Sequence, residues 1–130
     1  MPAKDIVYVN GSFLPRAEAR VSVEDRGFVF GDGVYEVLRV INGRLFATRF
    51  HNQRLEKSLA GVRIELRDED SPARFVDIGK QLLKENKLLA GEATLYIQVT
   101  RGAATRAHFF PPPDTAATIY ISVARFTPSA

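Results

Sequence analysis

Apolar and polar residues alternate along several stretches of this chain and recur at helical spacing in two others. Ile6 to Val9 and Ser12 to Leu14 flank Asn10-Gly11, a pair that supplies both positive-φ positions of a type I′ hairpin turn. A longer alternation runs from Val34 to Ile41, turns at Asn42-Gly43 and returns through Arg44 to Ala47. In that strand Tyr35, Val37 and Arg39 share one face, while Val34, Glu36, Leu38 and Val40 share the other. One of the two faces must look at a core or a cleft. From Phe50 the period changes: Leu55, Leu59 and Val62 form a helix stripe, with Thr48 as N-cap and Arg54 beside the stripe. Ser71-Pro72 opens a second helix, which carries Phe75, Ile78, Leu82 and Leu83 inward as far as Lys87 and turns Lys80, Lys84 and Lys87 outward. Alternating strands from Ala93 to Arg101 and from Ala117 to Phe126 follow. Strands, two helices, then strands predict an α+β domain.

The segment Glu24 to Glu36 interrupts this regularity, with glycines at 27, 31 and 33, aromatic Phe28 and Phe30, and then Tyr35 offering a phenol from the start of a strand. Such a run reads as a loop feeding a site. A second irregular segment, Gly102 to Pro113, is polar and ends in three prolines.

Composition narrows the function classes. The 130 residues make one domain, residues 1–130, with 45% hydrophobic and 25% charged residues, as in an ordinary globular protein. No apolar run approaches the length of a membrane span, and the first residues do not read as a secretory signal, so a cytoplasmic location is the expectation. The absence of cysteine excludes disulfides and thiolate metal sites. A net charge of +3 comes from scattered basic residues mixed with fifteen acids, without a phosphate-tracking stripe, so nucleic acid is not an expected partner. Arginine greatly outnumbers lysine and is the better fork for carboxylate and phosphate, which favours small anions.

Arg106 and His108 lie two apart in an extended loop, so both side chains can close on one carboxylate, the arginine bidentate and the histidine donating from a ring nitrogen. Spacing alone is better met by a solvated loop with an incidental arginine and histidine. Tyr35 by itself suits an amphipathic strand position, and Arg54 suits a surface ion pair. His51 belongs to no metal-ligand spacing, so no metal is expected. No nucleophile elbow, Walker loop or dinucleotide fingerprint occurs, since Gly31-Asp32-Gly33 precedes a strand rather than a helix.

Taken together, Glu24 to Val37, His51-Asn52-Gln53-Arg54-Leu55, and Gln98 to Gly102 followed by Arg106-Ala107-His108-Phe109-Phe110-Pro111 resemble the fold-type IV pyridoxal-phosphate aminotransferases. Within that family the resemblance is strongest to the D-amino acid (D-alanine) aminotransferases, and it extends from Ile6 to Phe126. It implies the family's small N-terminal domain, an antiparallel sheet with two helices. It also implies pyridoxal 5'-phosphate as cofactor, amino acids and 2-oxo acids as substrates, and a homodimer. Arg54 corresponds to the arginine that grips the cofactor phosphate. Tyr35, Arg106 and His108 correspond to the trap for the substrate α-carboxylate, with the arginine and histidine reaching the neighbouring subunit's site. Val37 and Arg39 correspond to residues lining the side-chain pocket. The Arg-x-His pair favours a D-amino acid enzyme over an aminodeoxychorismate lyase or amine transaminase of the same architecture. A non-catalytic dimerising domain would also keep the fold.

One departure qualifies these implications. Family members are longer, and the lysine that holds the cofactor covalently lies in their second domain. None of Lys4, Lys57, Lys80, Lys84 and Lys87 matches it. The expectation is a chain that supplies orientation and anion binding, does not transaminate alone, and associates through the surface left exposed.

Overall fold

The computed structural model describes residues 5–127. Lys4 lies outside them. Ten short elements build one six-stranded antiparallel sheet with helices on one side. Strand β1 (Ile6–Val9) pairs with β2 (Ser12–Pro15) across the expected turn, where Asn10 and Gly11 both take positive φ. A short 3-10 turn, Arg16–Glu18, and a one-turn helix α1 (Arg26–Phe30) lead into β3 (Gly33–Ile41). Then come β4 (Arg44–Leu45), α2 (Thr48–Val62), α3 (Pro72–Glu85), β5 (Glu92–Thr100) and β6 (Thr118–Arg125). The sheet order is β2-β1-β6-β5-β3-β4.

The strand faces resolve the question left by the alternation. Leu38 and Val40 of β3, Leu95, Ile97 and Val99 of β5, and Ile119 and Ile121 of β6 are buried beneath α2 and α3. The helices answer with Leu55 and Leu59 from α2 and Phe75, Ile78, Leu82 and Leu83 from α3. Each buried side chain of this size contributes about 1.5–3 kcal/mol of transfer free energy. Asn86, just past α3, accepts from Ile6 N at 2.8 Å and donates to Ile6 O at 3.0 Å, so it pins the first residue of β1 to the helix layer. Among the described residues no helix covers the opposite face of the sheet. It carries Tyr35, Val37 and Arg39, all exposed.

Two local expectations are corrected. Thr48 is the first residue of α2, not its cap; Ala47 takes the cap position in a left-handed conformation at φ 54°, and no side chain caps the helix start. That left-handed residue also ends β4 early, so the return strand is shorter than Arg44 to Ala47. Ser71 does cap α3, its hydroxyl accepting from Arg74 N at 3.0 Å with Pro72 in the first helical position. In addition to the two expected helices, the glycine-rich segment folds into α1, because Asp25 caps it by accepting from Gly27 N at 2.8 Å and Gly31 closes it with a left-handed residue at φ 67°. Among the described residues no helix is long and apolar enough to cross a membrane.

Candidate functional site

Glu36 is the structural centre of the site, and it is the residue that spacing alone did not single out. It sits on the helix-side face of β3 between Val34 and Leu38, only 4% exposed, where an uncompensated carboxylate would be costly. Compensation comes from α2. His51 and Arg54 are three residues apart on that helix and therefore share a face. Arg54 donates from Nε to Glu36 Oε2 at 2.8 Å and from Nη2 to Oε1 at 2.7 Å. His51 Nδ1 lies 2.6 Å from Glu36 Oε1.

Burial pushes the Glu36 carboxyl up, but the hydrogen bonds from Arg54 and His51, with their charges, outweigh it and leave the group below its ordinary value of 4.5. Glu36 is therefore ionised near neutral pH and can only accept, so His51 Nδ1 carries the hydrogen between them. The hydrogen bond that Arg54 itself makes to Glu36, and that carboxylate's charge, in turn push the Arg54 guanidinium above its ordinary value. The Arg54 side chain remains 66% exposed, and Nη1 has no partner among the described residues. Two donors fix its plane on Glu36 while the remaining edge points away from the fold. Phe50, Gln53, Glu56 and Lys57 line the groove beside it.

A second carboxylate, just before the first residue of β3, organises the loops there. Asp32 Oδ2 accepts from Arg26 Nε at 2.8 Å and from Arg101 Nε at 2.7 Å, and Arg101 Nη2 reaches Oδ1 at 3.1 Å. Burial again pushes the carboxyl up, and the hydrogen bonds and charges of Arg101 and Arg26 bring it below its ordinary 3.8. Both carboxyls are thus depressed in the folded state relative to the unfolded chain. Their stabilisation is complete above the unfolded values and disappears as pH falls through the lower folded ones. Chemical denaturation from neutral pH to about pH 3 should show stability falling below the ordinary carboxyl range, with a shallower fall in Glu36→Gln.

The other candidate residues fall in two places. Tyr35 is 64% exposed on the open sheet face, with its ring centroid 6.0 Å from that of Tyr96. Tyr96 continues to Tyr120 at 6.0 Å and donates its hydroxyl to Gln98. Burial first, then the neighbouring phenols of Tyr120 and Tyr35, push the Tyr96 phenol above its usual value, so it is a neutral donor. Val37 lies directly opposite Tyr96, whereas Arg39 is already engaged with Glu92 at 2.6 Å and stacks over Phe126 at 4.6 Å. Arg106 and His108 are exposed on the loop after β5, where both approach the ring of Phe30, at 5.4 and 5.9 Å. Neither forms a hydrogen bond or ion pair with the described residues, so their donors are open to a ligand. The structure thus joins Arg54 to Glu36 and His51, keeps Tyr35 among the sheet tyrosines, and gathers Arg106 and His108 on Phe30.

The family model for amino-transferase class IV matches residues 33–130. The chain belongs to the class IV aminotransferases. Among its class IV relatives, the D-alanine aminotransferase of Staphylococcus haemolyticus is 42% identical over 108 residues, which cover 83% of this chain and 37% of that protein. The chain therefore spans little more than a third of that relative's length. The branched-chain amino acid aminotransferase from Escherichia coli superposes with a TM-score of 0.83 at 20% identity, covering 95% of this chain and 41% of that one. A hypothetical aminotransferase from Mycobacterium tuberculosis, in its PLP-bound form, gives 0.73 at 26% identity, covering 92% and 39%. The fold is that of the class IV aminotransferase N-terminal domain, as the resemblance implied.

Proposed function

We propose that the chain is the N-terminal domain of a pyridoxal 5'-phosphate-dependent D-amino acid aminotransferase, exchanging an amino group between a D-amino acid and a 2-oxo acid. The observation that carries this reading is the Arg54 guanidinium, fixed on one edge by buried Glu36 and open on the other. Such a donor set fits a phosphate, because the fork is oriented before the anion arrives. The D-alanine aminotransferase relatives support the substrate class. The branched-chain enzyme, at 20% identity, bears on the fold alone.

Bound pyridoxal phosphate would supply the electron sink for chemistry at the amino acid's α-carbon. Residues of this chain bind and orient. Arg54 holds the phosphate, with Glu36 and His51 setting its plane. Tyr35, Arg106 and His108 take the α-carboxylate, and Val37 and Arg39 line the side-chain pocket, with Arg39 restrained by Glu92. Tyr35 and the Arg106 loop have no ring neighbour in common within one chain, which suits an arrangement where the loop serves a second copy in a homodimer. The covalent lysine lies in a further domain in this reading. Lys57, Lys80, Lys84 and Lys87 are exposed on or just after α2 and α3.

In the intact protein, Arg106→Ala should lower kcat/KM for D-alanine roughly ten- to hundredfold, chiefly through KM. Unchanged kinetics would remove the carboxylate assignment. Turnover of L-branched-chain amino acids without D-alanine would overturn the D-amino acid reading.

A further inference from the structure

We propose that Arg26, locked in place by Asp32, is a positioning residue for the segment that carries Arg106 and His108. The inference rests on the carboxylate-trap reading above and names the group that gives the trap its geometry.

The segment has little to hold itself. Pro111, Pro112 and Pro113 lack N–H donors, and from Thr105 to Asp114 no backbone N–H donates to another backbone carbonyl among the described residues. Its nearest sheet-like contact is the single bridge between Asp25 and Ala103. An arm of this kind should wander over its own length unless something outside it fixes a point.

Arg26 provides that point between Arg106 and His108, while Arg101 lies 4.1 Å over the Phe110 ring further along. The Arg26 side chain is only 8% exposed although the loop around it is open. Nη1 donates to Ala107 O at 2.9 Å, with Phe109 O at 3.5 Å. Ala107 is the residue between Arg106 and His108, so the tether grips the backbone midway between the two proposed ligand donors. The same guanidinium lies 4.7 Å from the Phe30 centroid, and that ring is also the neighbour of Arg106 and His108. Both side chains of the pair thus rest on a platform that Arg26 shares.

Asp32 prevents Arg26 from following the arm. Its carboxylate takes Arg26 Nε and, from the other side, Arg101, whose remaining donors reach Val62 O and Arg63 O at the end of α2. The anchor is therefore referred to the helix that carries Arg54. Gly27 makes the close fit possible, since a Cβ there would overlap Thr100 at the end of β5.

The test uses the intact protein, with Arg26→Gln and Arg26→Lys examined for hydrogen exchange and for kinetics with D-alanine. Arg26→Gln should speed amide exchange across residues 104–110 by about tenfold or more while β5 and β6 keep their protection. KM should rise about tenfold with kcat changed much less. Arg26→Lys retains the charge facing Asp32 but cannot bridge to Ala107 O with a rigid fork, so it should show the same loosened arm with an intact fold. This second variant decides the matter if glutamine prevents folding. In an Arg106→Ala background, Arg26→Gln should raise KM by a smaller factor than in wild type, because the part of its effect that passes through Arg106 is gone and only the part through His108 remains. Unaltered exchange in both variants, or an undiminished KM rise in the Arg106→Ala background, overturns the inference. If Arg106→Ala alone leaves KM at the wild-type value, the carboxylate trap is lost, and the exchange result alone decides whether Arg26 tethers the arm.

Discussion

The Arg54→Ala protein is expected to bind pyridoxal 5'-phosphate about tenfold or more weakly than wild type, as measured by titrating the intact cofactor-free protein. Two losses combine in that variant. The guanidinium proposed to meet the phosphate is gone, and Glu36, buried on the helix side of β3, keeps only His51 as a partner. Arg54→Lys separates them: a lysine supplies charge but cannot pair edge-on with both oxygens of Glu36 and still present a fixed donor outward, so affinity should recover only in part. Glu36→Gln should also weaken the cofactor, by a smaller factor, because an amide turns one acceptor into a donor facing Arg54. In an Arg54→Ala background that second substitution should have no further effect on cofactor affinity. A full and additive loss from Glu36→Gln would mean that Glu36 does not act through Arg54.

The same trio shows how far the sequence could be read. The β3 alternation placed Glu36 on one face with Val34, Leu38 and Val40, and a charged residue inside an otherwise apolar stripe is a signal that a partner must come from elsewhere. Two basic residues three apart on the following helix were the partners. Only the packing of α2 on β3 joins them, since Arg54 and Glu36 are 18 residues apart in sequence. His51, dismissed for want of a metal-ligand spacing, is explained by this contact instead. Hairpins and the start of α3 were legible because their signals are local: Asn-Gly at two turns and Ser-Pro at a helix start. The start of α2 was not, because a left-handed alanine carries no local signal. Asp32 and Arg101 meet across 69 residues, and no periodicity reports a contact of that kind. Family resemblance implies roles for Arg54, Arg106 and His108, whereas the Glu36 carboxylate that holds Arg54 and the Arg26 bond to Ala107 O emerge from the coordinates.

Gly102→Ala is expected to lower the unfolding free energy of the intact protein by about 3 kcal/mol or more. Gly102 takes φ +103°, a region that side chains avoid, and a Cβ built there would overlap the backbone carbonyl of Ala116. A flexible side chain could yield, but that carbonyl belongs to the chain entering β6, two residues before Thr118. The backbone of Gly102 is engaged on both sides as well: its N–H donates to Thr100 Oγ1 at 3.1 Å and its carbonyl accepts from Arg26 N at 2.8 Å. The residue therefore joins the end of β5 to the start of α1 just where the Arg106 arm departs. Relief of the overlap must move either β6 or the arm. If the arm moves, the substitution should raise KM for the amino acid as well as lower stability, and the pattern of exchange would match that of Arg26→Gln across residues 104–110. If β6 moves, the loss should appear as faster exchange at the Thr118 end of the strand with KM preserved. An alanine variant as stable as wild type would show that the turn relaxes without cost, and that the Gly102 backbone is not a rigid junction between β5 and α1.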